Sequence, residues 1–567
     1  MKSRSTIRKV LFAGIIVLGA GLVFSFKTDL FQVSKNLEIF ASVYKELNLH
    51  YVDEVEPSKL MKTAIGSMLN DLDPYTEFVA ESEIEDYKMR YVSTQYGGIG
   101  AGILHRDGKV FIAETFEGYP AQMNDLRAGD QIVSINNQSL KGKNNDEVSL
   151  LLKGPKETPV NIKLLRGDKS IEKQIKRAEI KQPNVSYYGM LDNGIGYIKL
   201  DKFLENSAQE VKDAFLALKK NNPSGMVLDL RFNGGGILQE AVKIVNLFVG
   251  KDVEVVSQIG RDAEKKVTYR TPSSALDAEI PLVVLINGRS ASASEIVSGS
   301  LQDLDRAVVI GQRSFGKGLV QQTFNLPYNT LVKVTVAKYY TPSGRCIQAL
   351  DYTHRLEDGS VEKVADSLIT EYKTKGGRSV YDGSGIYPDV FVEPYKYHQI
   401  TQTLSGKYLI FDYATNYRIA NNSISAPKTF KLSDADYVNF TNFLKGKDYS
   451  YKTSSEVILE SFVKEASEDK RLNDVKAEVN VLEDKLKKIK SNDLTTYKPE
   501  IKRILESEIV QRYYFEKGRI LQAFQYDAEL QKAYEVFKDK SLYASVIEGK
   551  GVYKTIGKPK QVTAKLD

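Results

Sequence analysis

One cysteine, Cys346, in 567 residues excludes an internal disulfide and a cysteine-rich metal site. Histidine is almost as scarce: His50, His105, His354 and His398 lie far apart, outside any metal-ligand spacing and outside any stretch that looks like a catalytic element. A zinc protease is therefore not expected, and neither is a metal or cofactor of another kind. Neither G-x-x-x-x-G-K-[ST] nor G-x-G-x-x-G occurs, which argues against nucleotide binding. Charge of one sign is missing too, since 79 Lys and Arg face 73 Asp and Glu for a net +6, so nothing marks nucleic acid as a partner. Long hydrophobic runs are confined to one place, the uncharged stretch Val10 to Phe26.

That stretch follows Lys2, Arg4, Arg8 and Lys9 and is closed by Lys27. It is expected to be an export signal or a single membrane anchor, with the start in the cytoplasm and the rest translocated. Val-Leu-Gly-Ala-Gly resembles a cleavage region only loosely, which favours an uncleaved anchor at residues 10–26 and a periplasmic location in the cell envelope.

At this length roughly three or four domains are expected. Residues 1–28 form the signal or anchor, and 29–90 a small helical segment in which Leu37, Phe40, Val43, Tyr44 and Leu47 share a face and Pro74 forbids one continuous helix. Asp71 and Asp73 are expected to cap helices rather than to act in catalysis. Short alternating strands fill 91–180, an α/β pattern fills 181–398, and Lys-, Glu- and Tyr-rich helical periodicity fills 399–567. In this last part Leu472, Val475, Val479, Leu482, Leu486 and Ile489 form one apolar stripe, expected to pack within the chain rather than in a dimer seam, and Ile501, Leu505, Ile509 and Tyr513 form another.

Within 91–180, the order of elements together with Tyr119-Pro-Ala121 and Leu126-Arg-Ala-Gly-Asp-Gln-Ile-Val-Ser-Ile135 resembles a PDZ domain. The resemblance implies binding of an extended peptide at a strand edge, with Gly98, Ile99, Gly100 and Ala101 at the loop that receives the terminal carboxylate.

Chemistry concentrates between Ser290 and Gln322. The apolar run Pro281 to Gly288 reads as a buried strand, and Ser290-Ala-Ser-Ala-Ser-Glu-Ile296 opens a helix, placing serines at a strand-to-helix turn where unpartnered N–H groups can stabilise an oxyanion. Serine needs a base. With histidine candidates missing, Lys317 between Gly316 and Gly318 is available, since desolvation disfavours an ammonium ion. These arguments leave Ser290, Ser292 and Ser294 open. A second glycine-rich turn, Phe232-Asn-Gly-Gly-Gly-Ile-Leu238, follows another buried strand and has the geometry for an oxyanion hole.

Ser290-Ala-Ser-Ala-Ser-Glu-Ile296, Ser314-Phe-Gly-Lys-Gly-Leu-Val-Gln-Gln322 and Leu228-Asp-Leu-Arg-Phe-Asn-Gly-Gly-Gly236 together resemble the carboxy-terminal processing peptidases, or tail-specific proteases, from about Leu37 to Pro394. The resemblance implies an α/β peptidase core of the ClpP/crotonase type with an inserted PDZ domain, an N-terminal helical segment and a helical C-terminal extension. It also implies a serine endopeptidase in which Ser292 attacks, Lys317, 25 positions later, moves the proton, and Gln321 orients the lysine. The implied oxyanion donors are N–H groups near Gly235 and of Ala293. Phe232-Asn-Gly-Gly-Gly departs from the commoner Asn-Asn-Pro-Gly-Gly, which leaves the oxyanion glycine open. Expected partners are proteins or peptides with a free C-terminus, the membrane through the N-terminal segment, and a further copy or an adaptor. The competing expectation is a catalytically inactive PDZ scaffold or adaptor that presents envelope proteins to another protease.

Overall fold

The computed structural model describes residues 30–92, 95–355 and 360–550. The expected anchor at 10–26 lies outside them, and among the described residues no helix is long and apolar enough to cross a membrane.

The chain forms two compact units. The smaller comprises the chain up to Ala80 with Thr323–Val334. Its described part holds a helix over 30–50, a helix at Pro57–Asn70 that starts with Pro at its first position, and the short strand Glu77–Val79, antiparallel to Leu331–Lys333. Asp73 caps a turn rather than a helix: its carboxylate accepts the N–H groups of Tyr75 and Thr76, both at 2.8 Å, because Pro74 has already ended helical geometry there. Asp71 is the residue that closes the Pro57–Asn70 helix at its C-terminal end.

The larger unit, Glu81–Gln322 with Thr335–Asp567, contains three layers of organisation. Near its start is an antiparallel sheet in the order Ala101–Arg106, Lys109–Thr115, Gln131–Ile135, Pro159–Arg166, Lys169–Lys176. Strand period two decides its core: Val160, Ile162 and Leu164 are buried while Asn161 and Lys163 between them are exposed. The helix Asn145–Leu152, capped by Asn144 through a reciprocal pair with Glu147, packs beside Ala101–Arg106. Gln95–Gly98 pairs with Ala178–Lys181, so the two ends of this inserted sheet are joined.

The peptidase sheet follows in the order Val185–Met190, Gly196–Leu200, Met226–Asp229, Leu282–Ile286, Val308–Gly311, Val390–Phe391, parallel from its second strand onward. Leu282–Ile286 and Val308–Gly311, in its centre, carry no polar side chain and are buried at every position because both faces are covered. Helices Ser207–Lys219, Leu238–Asn246 and Ala293–Asp303 cover one face. The other is covered by the end of the chain: Ile520, Leu530, Ala533, Val536 and Val546 pack on Val227, Val283, Leu285, Val308 and Ile310. The helical extension is thus a layer of the peptidase core as well as an appendage.

The rest of the extension has its own core, in which Ile501, Leu505 and Ile509 of the Lys498–Ala523 helix pack against Leu409–Ala420 and Asp434–Phe443. Leu472–Lys490 packs against Ser454–Glu468, as the stripe predicts, but only Val479 is fully buried, and Leu482 and Ile489 remain exposed. A two-helix layer is too thin to cover a stripe this wide.

Candidate active site

The Ala293–Asp303 helix begins where the chain leaves Leu282–Ile286, and Ser292 is its N-cap residue. Ser292 has φ of 57° and ψ of −114°. A non-glycine residue held there costs roughly 1–3 kcal/mol and persists only when its surroundings over-determine it. The surroundings do so. Ser290 Oγ donates to Leu230 O (2.8 Å) and accepts Asn287 N–H (2.9 Å), while Ser294 Oγ donates to Asn233 O (2.8 Å). Asn233, itself fully buried, also accepts Ala291 N–H at its carbonyl and donates Nδ2 to Leu200 O.

The structure therefore separates the three serines that sequence left open. Ser290 and Ser294 are buried with their hydroxyls spent on backbone carbonyls, whereas Ser292 is half-buried and its hydroxyl donates to no described residue.

The loop Ser314–Gly318 comes to the same place. Glu295, fully buried in the first turn of the helix, accepts four hydrogen bonds: Ser292 N–H (2.8 Å) and Lys317 N–H (2.9 Å) on Oε2, Ser314 Oγ (2.5 Å) and Gly316 N–H (2.7 Å) on Oε1. Burial pushes its carboxyl above the ordinary range, opposed by these four donors. On the other side the Tyr339 hydroxyl meets the carbonyls of Ser292 (3.2 Å) and Lys317. One carboxylate and one phenol thus clamp the backbones of Ser292 and Lys317 together. Lys317 is half-buried.

Gln321 lies on the strand Leu319–Leu326, and its Nε2 donates to Thr335 Oγ1 at 3.1 Å. Gly235 abuts the serine: a Cβ placed on it would stand 2.8 Å from Ser292 Cβ and 2.9 Å from Ala293 N. Its φ of 96° adds a second reason for glycine. The Gly235 N–H, however, donates to Asn233 Oδ1 at 2.9 Å, while Ala293 N–H, in the first turn of the helix, has no acceptor among the described residues.

In the inserted sheet the carbonyls of Ile99 and Gly100 accept the N–H groups of Ala121 (2.7 Å) and Phe116 (2.9 Å). Their own N–H groups have no acceptor among the described residues, and Ala101 opens the strand whose outer edge is unpaired in the sheet. Gly98 closes the preceding strand, opposite Ala178.

The profile of peptidase family S41 matches residues 194–354, that of the PDZ domain 92–165, and that described as "Probable PDZ-protease, C-terminal helical domain" 400–537. A "Probable CtpA-like serine protease" of Staphylococcus aureus (strain COL) is 32% identical over 414 residues, 72% of this chain and 70% of the relative. The chain belongs to peptidase family S41. A "Carboxy-terminal-processing protease" of Bartonella bacilliformis is 34% identical over 358 residues, 61% of this chain and 82% of its own length. Among solved structures, the photosystem II D1 C-terminal processing protease is 27% identical, covers 63% of this chain and 92% of its own, and has a TM-score of 0.34. This S41 peptidase thus falls in the family of the carboxy-terminal processing proteases and carries an inserted PDZ domain and a helical C-terminal region.

Sequence reasoning on the S41 peptidase missed Glu295, Tyr339 and Asn233. Ser292-x-x-Glu295 carries the spacing of a helix capping box, a signal that could have found the first. Tyr339 and Asn233 act through backbone contacts that no spacing announces.

Proposed function

We propose that this S41 peptidase is a serine endopeptidase in which Ser292 is the nucleophile and Lys317 the general base. The observation that carries the reading is the shared Glu295 Oε2, which holds the N–H groups of Ser292 and Lys317 at 2.8 and 2.9 Å and so fixes the two residues against one another. Ser292 is also the one serine of its group whose hydroxyl donates to no backbone carbonyl among the described residues.

Lys317 Nζ takes the hydroxyl proton as Ser292 Oγ attacks the substrate carbonyl, and returns it to the leaving amine, giving an acyl-enzyme that water hydrolyses by the same proton path. Ala293 N–H supplies an open donor for the oxyanion at the helix N-terminus, where the backbone dipole also favours negative charge. Gly235 serves by lacking a side chain, so that substrate backbone and Ser292 share the space a Cβ would take. Gln321, with Nε2 held by Thr335, presents Oε1 as the acceptor that orients the lysine.

The PDZ domain takes the substrate's C-terminal carboxylate on the open N–H groups of Ile99 and Gly100 and pairs its backbone with the edge of Ala101–Arg106. Export through residues 10–26, retained as an anchor, places the reaction in the cell envelope.

The test is cleavage of a peptide with a free C-terminus by wild type, Ser292→Ala and Lys317→Ala. Loss of activity in both with unchanged thermal unfolding is expected; cleavage by Ser292→Ala overturns the assignment.

A further inference from the structure

Arg231 stands between the last residue of the Met226–Asp229 strand and the glycine turn 232–236 that packs on Ser292. Its guanidinium is saturated by three carboxylates. Nε and Nη2 bond Asp229 at 3.0 and 2.6 Å, Nη1 and Nη2 bond Asp527 at 2.8 and 2.6 Å, and Nη1 reaches Glu529 at 3.2 Å. Asp527 and Glu529 belong to the helical extension, at the start of the Ala528–Lys538 helix.

Glu529 has a second partner. Its Oε1 accepts Gln312 Nε2 at 2.8 Å, and Gln312 lies two residues before Ser314, whose hydroxyl is on Glu295. One acidic pair therefore touches the root of each loop that frames the serine and the lysine. The first loop carries Asn233 and Gly235; the second carries Ser314, Gly316 and Lys317.

We propose that Asp527 and Glu529 are positioning residues for the peptidase reaction: through Arg231 and Gln312 the helical extension sets the register of the glycine turn against the lysine loop. The inference rests on the reading of Ser292 and Lys317 as the reacting pair. Neither Asp527 nor Glu529 touches those two residues, so their effect runs through backbone placement, to which catalytic rates are sensitive: displacement by about an ångström costs on the order of a hundredfold. The geometry also gives the extension a role that packing alone would not need. Apolar residues already cover this face of the sheet, and a fork of Arg231 shared between Asp229 and Asp527 adds direction rather than area.

The test uses the Asp527→Asn/Glu529→Gln double variant, which removes both charges while keeping side-chain size. Asn retains the helix cap that Asp527 now provides to Leu530 N–H at 2.9 Å. Active sites are titrated with a serine-directed fluorophosphonate, and kcat and KM are measured per titrated site on a peptide with a free C-terminus. The expected result is a fall in kcat of roughly tenfold or more with KM within about twofold. A role in folding alone would lower the melting temperature and the titratable fraction but leave kcat per site as in wild type, and that result overturns the proposal. If the double variant shows no cooperative melt, Glu529→Gln alone decides, with a fall in kcat of roughly threefold expected and an unchanged kcat overturning. Ser292→Ala is run in parallel: if it cleaves, the reading of the reacting pair has failed, whereas if it is inactive and the double variant behaves as wild type, only the inference about Asp527 and Glu529 has failed.

Discussion

Glu295 Oε2 accepts the N–H of Ser292 at 2.8 Å, and the same oxygen accepts the N–H of Lys317. A buried carboxyl with four donors aimed at it has no substitute of the same shape, because an amide brings two N–H donors to a place where even the protonated acid brings only one. Glu295→Gln is expected to lower kcat by roughly a hundredfold or more and to destabilise the fold by about 1–3 kcal/mol, measured by peptide cleavage and urea unfolding.

The pH dependence has a definite sign. Burial raises the Glu295 pKa in the folded protein above its unfolded value, against the four hydrogen bonds. Its contribution to stability is therefore full below the unfolded pKa and declines as pH rises through the folded one. Urea unfolding of wild type and Glu295→Gln between about pH 4 and pH 7 should show the wild-type advantage shrinking with rising pH; an advantage that grows contradicts the direction of the shift.

The three serines should divide activity from stability. Ser292→Ala is expected to be inactive and as stable as wild type. Ser290→Ala and Ser294→Ala each remove one of two donors from the buried carbonyls of Leu230 and Asn233, Ser290→Ala also takes the acceptor from Asn287 N–H, and each should cost about 1–2 kcal/mol. Ser292→Gly, which relieves the φ of 57°, should be inactive and more stable by about 1 kcal/mol, and thermal unfolding reads all four.

Gly235→Ala drives a Cβ to 2.6 Å from Ala291 O and 2.8 Å from Ser292 Cβ at a φ of 96°. Cleavage should fall by roughly a hundredfold or more while binding of a C-terminal peptide to the PDZ domain stays unchanged. Fluorescence anisotropy of a labelled peptide alongside kcat separates the two.

Peptide capture should depend on the carboxylate. On inactive Ser292→Ala protein, a peptide amide is expected to bind roughly tenfold or more weakly than the free acid, and Gly100→Ala to weaken the acid by a similar factor. In Gly100→Ala the new Cβ would stand 2.4 Å from Tyr119 Cβ at a φ of 74°, so the loop must move. Equal affinities for acid and amide, read by calorimetry, argue against carboxylate capture by the loop.

Much of this molecule is local and therefore readable in the chain. Val160, Ile162 and Leu164 alternate with polar residues and form a half-buried strand, Leu282 to Ile286 are apolar throughout and form a central one, and Ile501, Leu505 and Ile509 recur at helical spacing and are buried. The serine run and the Gly-Lys-Gly turn were legible as the chemical stretch, because a strand-to-helix turn and a lysine between glycines depend on neighbours in sequence. The turn at Asp73 was misread as a helix cap for the same reason: both use an aspartate to bind nearby N–H groups.

What the sequence determined by itself is the set of elements and the family motifs, since strand alternation, helical period and turn chemistry are fixed within a few residues. Only the tertiary structure decided which serine donates its hydroxyl to no described carbonyl, that Gly235 N–H is taken by Asn233, that Glu295 binds Ser292 to Lys317, and that the end of the chain covers the second face of the peptidase sheet. Those facts join residues tens to hundreds of positions apart, and such pairings follow from how packed layers exclude water and satisfy every buried donor, which no local spacing encodes.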